Sequence, residues 1–233
     1  MRTLVLSDIH GNIDALEAID ERCDAVLFLG DVVDYGPDPA ACIDWLRERE
    51  AIRVRGNHDN AVAFRMECGC GEKFLHLSRA TREYSWSVLD DERLAWIGEP
   101  ETSLNLQSGG QRILAVHAAP SDNLFRYVTP ETSDGDLAAE AALTDADIVL
   151  MGHTHRPFRR AAGGKLMLNA GSVGQPRDGI AMASYAVIED GEVQLKRAQY
   201  DIEAAVARLR RLPLDELVIS ELVHILEHAG MPE

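Results

Sequence analysis

The stretch Leu4-Val5-Leu6-Ser7-Asp8-Ile9-His10 opens as a buried-strand run and ends, with almost no spacer, in two metal-capable side chains. The same pattern returns twice. Ala25 to Leu29 is a second apolar run, closed by Gly30-Asp31-Val32-Val33-Asp34. Ile52 to Val54 is a third, followed by Gly56-Asn57-His58-Asp59. Between them, Asn12 to Glu21 carries Ile13, Leu16 and Ile19 at helical spacing. Pro39 to Glu50 predicts a helix with Asp38 as N-cap and Pro39 at its first position. The opening segment therefore reads β-α-β-α-β, the pattern of a parallel sheet with crossover helices. Ligands of open α/β sheets gather at the carboxyl ends of the strands. The three polar motifs are thus expected on one edge of one sheet.

Further along, Asn60 to Gly98 reads as mostly helical, interrupted near Cys68-Gly69-Cys70-Gly71. Thr102 to Leu106 and Arg112 to Val116 predict a hairpin around Ser108-Gly109-Gly110, and Val116 leads directly to His117. Asp136 to Leu143 predicts a helix. Ile148 to Met151 predicts a strand feeding Gly152-His153-Thr154-His155. Phe158 to Ala162 pairs with Lys165 to Asn169 across Gly163-Gly164. Ala183 to Ile188 pairs with Glu192 to Gln199 across Asp190-Gly191, a strong hairpin signal. Two helices, Ile202 to Arg211 and Leu214 to Ala229, close the chain on either side of Pro213. No repeat, low-complexity tract or linker interrupts it. The expectation is a single domain over residues 1–233: two packed sheets with helices outside. The terminal helices (202–229) either cover the sheet or make a dimer contact.

The chain has 233 residues, 46% of them hydrophobic and 27% charged, with a formal net charge of -16. Duplex nucleic acid and anionic membrane attract basic faces, so both are poor partners for this chain. No apolar run approaches the ~18 residues that a bilayer span needs, and the opening residues are too short for a signal peptide before Asp8. The chain reads as cytoplasmic. Cys68-Gly69-Cys70 has no second pair to complete a zinc knuckle, so the four cysteines read as reduced bystanders.

A two-metal hydrolase needs cations roughly 3.5–4 Å apart, joined by a shared ligand. A carboxylate suits the shared position because it offers two oxygens and a charge; imidazoles and an amide oxygen complete each shell. Asp8, His10, Asp31, Asn57, His117, His153 and His155 all follow apolar runs and supply that set. Asp8 and His10 are two apart, as are His153 and His155, so in extended chain each pair shares a side. Cations there would make a positive pocket in an acidic protein and attract phosphate.

In this order, Asp-x-His, Gly-Asp-x-x-Asp, Gly-Asn-His-Asp, a lone His after a strand, and Gly-His-x-His resemble the calcineurin-like metallophosphoesterases. The resemblance runs from Val5 to about Arg177. It extends to a small bacterial phosphodiesterase-like branch through Tyr35-Gly36-Pro37-Asp38-Pro39 and Gly171-Ser172-Val173-Gly174-Gln175-Pro176-Arg177. It implies a four-layer α-β-β-α sandwich of two mixed sheets. It implies that Asp8, His10, Asp31 and His155 hold one metal, that Asp31, Asn57, His117 and His153 hold the other, and that Asp31 bridges. His58 becomes the general acid or transition-state stabiliser, oriented by Asp59. The expected cofactors are two divalent ions, Mn, Fe or Zn, since a mixed donor set does not choose among them.

Phosphoprotein phosphatases carry an Arg where this chain has Tyr35, which disfavours a protein phosphatase. His117-Ala118-Ala119-Pro120 and Asn169-Ala170-Gly171-Ser172 replace His-Gly-Ser-Pro and Asn-Pro-Gly-Ser of many relatives without removing a ligand. The expected activity is hydrolysis of a small phosphorylated molecule, a phosphodiester or phosphoanhydride, with nucleotides and dinucleoside polyphosphates as candidates. A phosphomonoesterase, a nuclease and a metal-stabilised scaffold without turnover are the alternatives. Oligomeric state is not legible.

Other residues read more plainly. Asp34 is a turn former or lies behind the ligands. His76, His224 and His228 read as solvent-facing or packing residues. Residues 118–136 form a long loop, and long loops in compact domains are often functional. In it, Phe125 and Tyr127, with Tyr35, could stack on a base and Arg126 could take a phosphate, or the aromatics could simply pin the loop. The segment Gly171 to Gly174 could be a plain turn, or could place backbone N–H groups or Arg177 at the phosphate. The helix after Lys73 is expected to lean over the same edge.

Overall fold

The computed structural model describes residues 1–232. In chain order its elements are β1 (Arg2–Leu6), α1 (Ile13–Glu17), β2 (Ala25–Phe28), α2 (Pro39–Glu48), β3 (Ile52–Arg53), α3 (Asn57–Phe64), α4 (Glu72–Val88), α5 (Asp91–Gly98) and β4 (Ser103–Ser108). There follow β5 (Gln111–Val116), α6 (Asp134–Ala142), β6 (Ile148–Met151), β7 (Phe158–Ala162), β8 (Lys165–Asn169), β9 (Ala183–Glu189), β10 (Glu192–Ala198), α7 (Ile202–Leu209) and α8 (Glu216–His228). The strands form two five-stranded sheets, in the orders β10-β9-β1-β2-β3 and β4-β5-β6-β8-β7. Both are mixed. β1, β2 and β3 run parallel, while β9 is antiparallel to β1 and to β10. β5, β6 and β8 run parallel, with antiparallel strands at both edges.

Period-two alternation divides each central strand between two apolar layers. Val5, Leu27 and Leu29 of the first sheet meet Ala115, Leu150 and Leu168 of the second, forming the layer between the sheets. Leu4, Leu6, Val26 and Phe28 face the other way, onto α1 and α2. Val116, Val149, Met151 and Met167 face outward beneath Leu137 and Ala141 of α6. The four-layer α-β-β-α order follows from these faces. Leu150 is fully buried between the sheets. Leu150→Ala is expected to destabilise the protein by about 2–5 kcal/mol, read as a lower urea midpoint at unchanged slope.

The terminal helices pack on helices rather than on a sheet. Leu222, Ile225 and Leu226 of α8 join Ala205 and Leu209 of α7, Leu77 of α4 and the ring of Tyr35. Arg208 of α7 bonds Asp14 at 3.1 Å and lies 3.7 Å from Asp38. Asp38 precedes α2 without making the side-chain cap bond expected of it. α1 is shorter than its apolar periodicity predicts. Reciprocal bonds between Arg2 and Asp24, at 2.7 and 2.8 Å, return the chain to the sheet just before β2. Among the described residues, no helix is long and apolar enough to cross a membrane.

Candidate active site

Asp8 and His10 follow β1, Asp31 and Asp34 follow β2, and Asn57 and His58 open α3 beyond β3. His117 follows β5, and His153 and His155 follow β6. The carboxyl ends of both sheets meet here, so the seven side chains with ligand chemistry converge, all of them buried. Asp8, His10, Asp31, His153 and His155 all have positive φ, between 46° and 67°. Each such residue stores on the order of 1–3 kcal/mol of strain that surrounding contacts must hold. Two motif glycines are fixed by close approach. A Cβ on Gly56 would collide with Asp31 Oδ1, and one on Gly152 with Ser7 Oγ.

The cluster is built of acceptors facing acceptors. His10 Nδ1 lies 2.7 Å from Val33 O, His155 Nδ1 2.6 Å from Gln175 O, and His117 Nδ1 2.8 Å from Leu29 O. A carbonyl can only accept, so each Nδ1 carries the proton and donates it, and each ring turns its Nε2 inward. His10 Nε2 and His155 Nε2 then face one another at 3.1 Å, with Asp8 Oδ1 3.3 Å from the latter. His117 Nε2 lies 2.9 Å from Asn57 Oδ1 and 3.1 Å from Asp31 Oδ2. His153 Nδ1 lies 3.0 Å from the same Asn57 oxygen. Asn57 cannot turn its amide nitrogen inward, because Nδ2 donates to Cys68 O at 2.7 Å. Asp8 Oδ1 is buried without a donor. Opposed lone pairs in a dry cavity are unfavourable unless protons or cations lie between them. Two groups, Asp8-His10-His155 and Asp8-Asp31-His117, place ligand atoms within 4.8 Å of one another. The donor chemistry fits divalent cations.

The electrostatics of the buried side chains carry the same conflict. Burial drives His10 and His155 well below the usual imidazole range and His153 down to about 3. Burial also works against a charge on His117, yet Asp31 beside it raises that ring to about 9. Asp31 is held low despite its burial, because His117 and His58 surround it.

His58 lies beside the ligands. Its Nδ1 is 2.7 Å from Asp34 Oδ2, and its Nε2 is 3.4 Å from Tyr35 Oη. Burial opposes its protonation, but Asp31 and the bond to Asp34 raise it to about 9. The orienting carboxylate is therefore Asp34, correcting the expectation of Asp59. Asp59 instead accepts the N–H groups of Asp31, Val32 and Gly56, at 2.7, 2.9 and 3.3 Å. Its task is to lock the Asp31 turn to the start of α3. Behind Asp34 stands Ser78 of α4, at 3.4 Å, which takes a bond from Arg82 at 2.8 Å. Nothing in the sequence near Asp34 pointed to Ser78 or Arg82, because α4 reaches the site only in three dimensions.

The mouth is aromatic. Tyr35 is buried with its ring 4.8 Å from that of His10. The Tyr127 ring lies 4.4 Å from that of His153. Arg177 stacks on Phe74 of α4 at 3.7 Å and lies 5.5 Å above Tyr35. Two expected contacts are not brought to the cluster. Arg126 turns to Glu140, 3.4 Å away, and Phe125 packs on Gly69. Glu140 is a nearly buried carboxylate that attracts the nearest cation, and Gly69 offers a bare face to a ring. His76 bonds Glu221 on the outer surface, and His224 and His228 stack on α8, away from the site.

The profile of the calcineurin-like phosphoesterase superfamily domain matches residues 1–191, and the chain belongs to that superfamily. It is a metal-dependent phosphoric ester hydrolase. An uncharacterized protein of Methanocaldococcus jannaschii is 29% identical, with 90% of this chain and 93% of that protein covered. Phosphodiesterase YfcE of Escherichia coli K12 is 27% identical, with 82% of this chain and 88% of the relative covered. A metallophosphoesterase from Sphaerobacter thermophilus superposes with a TM-score of 0.81 at 28% identity, covering 95% of this chain and 98% of the other. A hypothetical protein from Pyrococcus horikoshii OT3, at 21% identity, shares the fold with a TM-score of 0.85 and 99% of each chain covered.

Proposed function

We propose that the protein is a dinuclear phosphoesterase that cleaves a phosphodiester or phosphoanhydride of a small molecule. The observation that carries this reading is the inward-facing acceptor set with a protonatable His58 beside it. Asp8, His10, Asp31 and His155 would hold one ion, and Asp31, Asn57, His117 and His153 the other, with Asp31 common to both. Mn, Fe and Zn all suit these donors. Bound cations would neutralise phosphoryl oxygens and activate water at neutral pH.

The chain's own residues do the rest. The Nδ1 donations to Val33, Leu29 and Gln175 keep three Nε2 atoms aimed inward. Asn57 is aimed by Cys68 O. His58, held by Asp34, keeps a proton at Nε2 for the departing oxygen, and Tyr35 Oη stands beside it. Phe125, packed on Gly69, and Arg126, paired with Glu140, are not used in this reading. Tyr127, near His153, is the candidate surface for a base or other flat leaving group, which keeps nucleotides and dinucleoside polyphosphates among the substrates to try. The phosphodiesterase activity of the Escherichia coli relative supports a diester over a monoester. The acidic composition fits a cytoplasmic protein acting on small molecules rather than on duplex nucleic acid.

The test is hydrolysis of bis(p-nitrophenyl) phosphate and p-nitrophenyl phosphate by metal-stripped protein titrated with Mn²⁺. Turnover of the diester is expected to appear with metal and to vanish in Asn57→Ala. Metal-loaded protein inactive on both esters would overturn the reading in favour of a scaffold.

A further inference from the structure

The geometry points to Arg177 as the side chain that grips the substrate's phosphoryl oxygens, supplying from the loop after β8 the cation that Tyr35 does not provide after β2. This deepens the phosphoesterase reading proposed above and rests on it.

Three observations carry it. The first is that Arg177 has no counter-charge. The chain holds 39 acidic against 23 basic residues, so carboxylates are plentiful. Among the described residues, none lies within ion-pair distance of Arg177. Its neighbour Asp178 is already paired with Arg197. Among the described residues, the only polar side-chain partner of Arg177 is the neutral oxygen of Gln175, 3.2 Å from Nε and 2.5 Å from Nη2. A half-buried guanidinium left without an anion in an acidic protein is arranged for an anion from outside.

The second is placement. The guanidinium carbon lies 3.7 Å from the centre of the Phe74 ring and 5.5 Å from that of Tyr35, the ring whose hydroxyl approaches His58. Gln175 occupies the Nε–Nη2 edge of the fork, and Nη1 makes no hydrogen bond to a described residue, so it is the donor left for a phosphoryl oxygen. The Arg177 backbone N–H bonds His155 O at 3.1 Å, so the main chain that carries the side chain is anchored to the turn holding His155.

The third is that four backbone donors of the segment are committed within the protein. The N–H of Gly171 goes to Asn169 Oδ1, that of Val173 to Ser7 O, that of Gly174 to Asp8 O, and that of Gln175 to Ser172 Oγ. These donors bolt the segment to the Asp8 turn and are spent. Among the side chains of Gly171 to Arg177, Arg177 is the one that carries a positive charge.

The experiment is isothermal titration of the full-length, Mn²⁺-loaded protein with inorganic phosphate, with metal content measured on the same samples. Arg177→Gln is expected to raise the phosphate Kd by about 10–100-fold, the worth of a hydrogen bond to a charged group, at unchanged metal content. Arg177→Lys should recover only part of the affinity, because a point charge replaces a fork. Phe74→Leu removes the platform, leaves Gln175 in place, and should weaken phosphate binding several-fold; it serves if Arg177→Gln does not fold. Phosphate Kd values within about twofold of wild type in Arg177→Gln, or in Phe74→Leu where that is the variant that folds, would overturn the assignment. Because binding is read without turnover, failure of the hydrolytic reading shows separately, as wild-type protein that binds phosphate through Arg177 and cleaves no ester.

Discussion

Asp31→Ala is expected to lower metal-dependent turnover by at least about 10³-fold, beyond the loss seen when a single preorganised donor is removed. The side chain serves two neighbours at once. Its Oδ2 stands 3.1 Å from His117 Nε2 and 3.9 Å from His10 Nε2, the two imidazoles assigned to different ions. Its Oδ1 accepts the His58 N–H at 2.8 Å and so fixes the start of α3. Alanine removes the shared ligand and half the anionic charge supplied by Asp8 and Asp31, and it frees the helix that carries Asn57 and His58. Metal analysis should show fewer than two ions per chain. Asp31→Asn keeps the shape and loses the charge, and should lie between alanine and wild type. An alanine variant that retains both ions and most of its turnover would remove Asp31 from the bridging position.

His58→Ala should behave differently. General acid catalysis is worth about 10²–10⁴-fold, and that loss should appear with esters whose leaving oxygen needs a proton. It should be small with p-nitrophenyl esters, whose leaving group departs as the anion. Metal content should not change, because His58 bonds Asp34 and Tyr35 rather than the ligands' inward atoms. Asp34→Asn should reproduce a weaker form of the same pattern. Asp59→Asn should not: it disturbs the N–H groups of Asp31, Val32 and Gly56 and should weaken metal retention and stability instead. The comparison of two carboxylates, scored by steady-state kinetics over a leaving-group series, separates orientation of His58 from support of the Asp31 turn. Full activity of His58→Ala on an alkyl ester would remove the proton-donor role.

The parallel sheet and the convergence of ligands were legible because each strand's apolar run ends at its own polar motif, as Leu6 does before Asp8 and Met151 before His153. The second sheet was legible for a similar reason: Gly109-Gly110 and Gly163-Gly164 mark turns whose backbone few other residues adopt. What the chain does not write locally was missed. The partner of His58 was assigned to adjacent Asp59, but helical geometry points residue 59 back under the turn, while Asp34 arrives across the loop. Phe125 and Arg126 have the right chemistry for a substrate, and only packing reveals that Gly69 and Glu140 take them. Conversely, the Arg177 stack depends on Phe74, more than a hundred residues away in sequence, a pairing that no spacing rule reaches.

Four of the assigned ligands hang from the ends of the first sheet and three from the second. Ions held among them would therefore work as rivets through two plates. Shear of one sheet over the other, which greasy contacts resist only softly, would open the 3.0 Å approach of His153 to Asn57 before it disturbed either plate. Loosening of the layer around Leu150 is then felt as play at the rivet: a change made deep between the sheets, remote from any substrate, should show first as slack in the grip on metal.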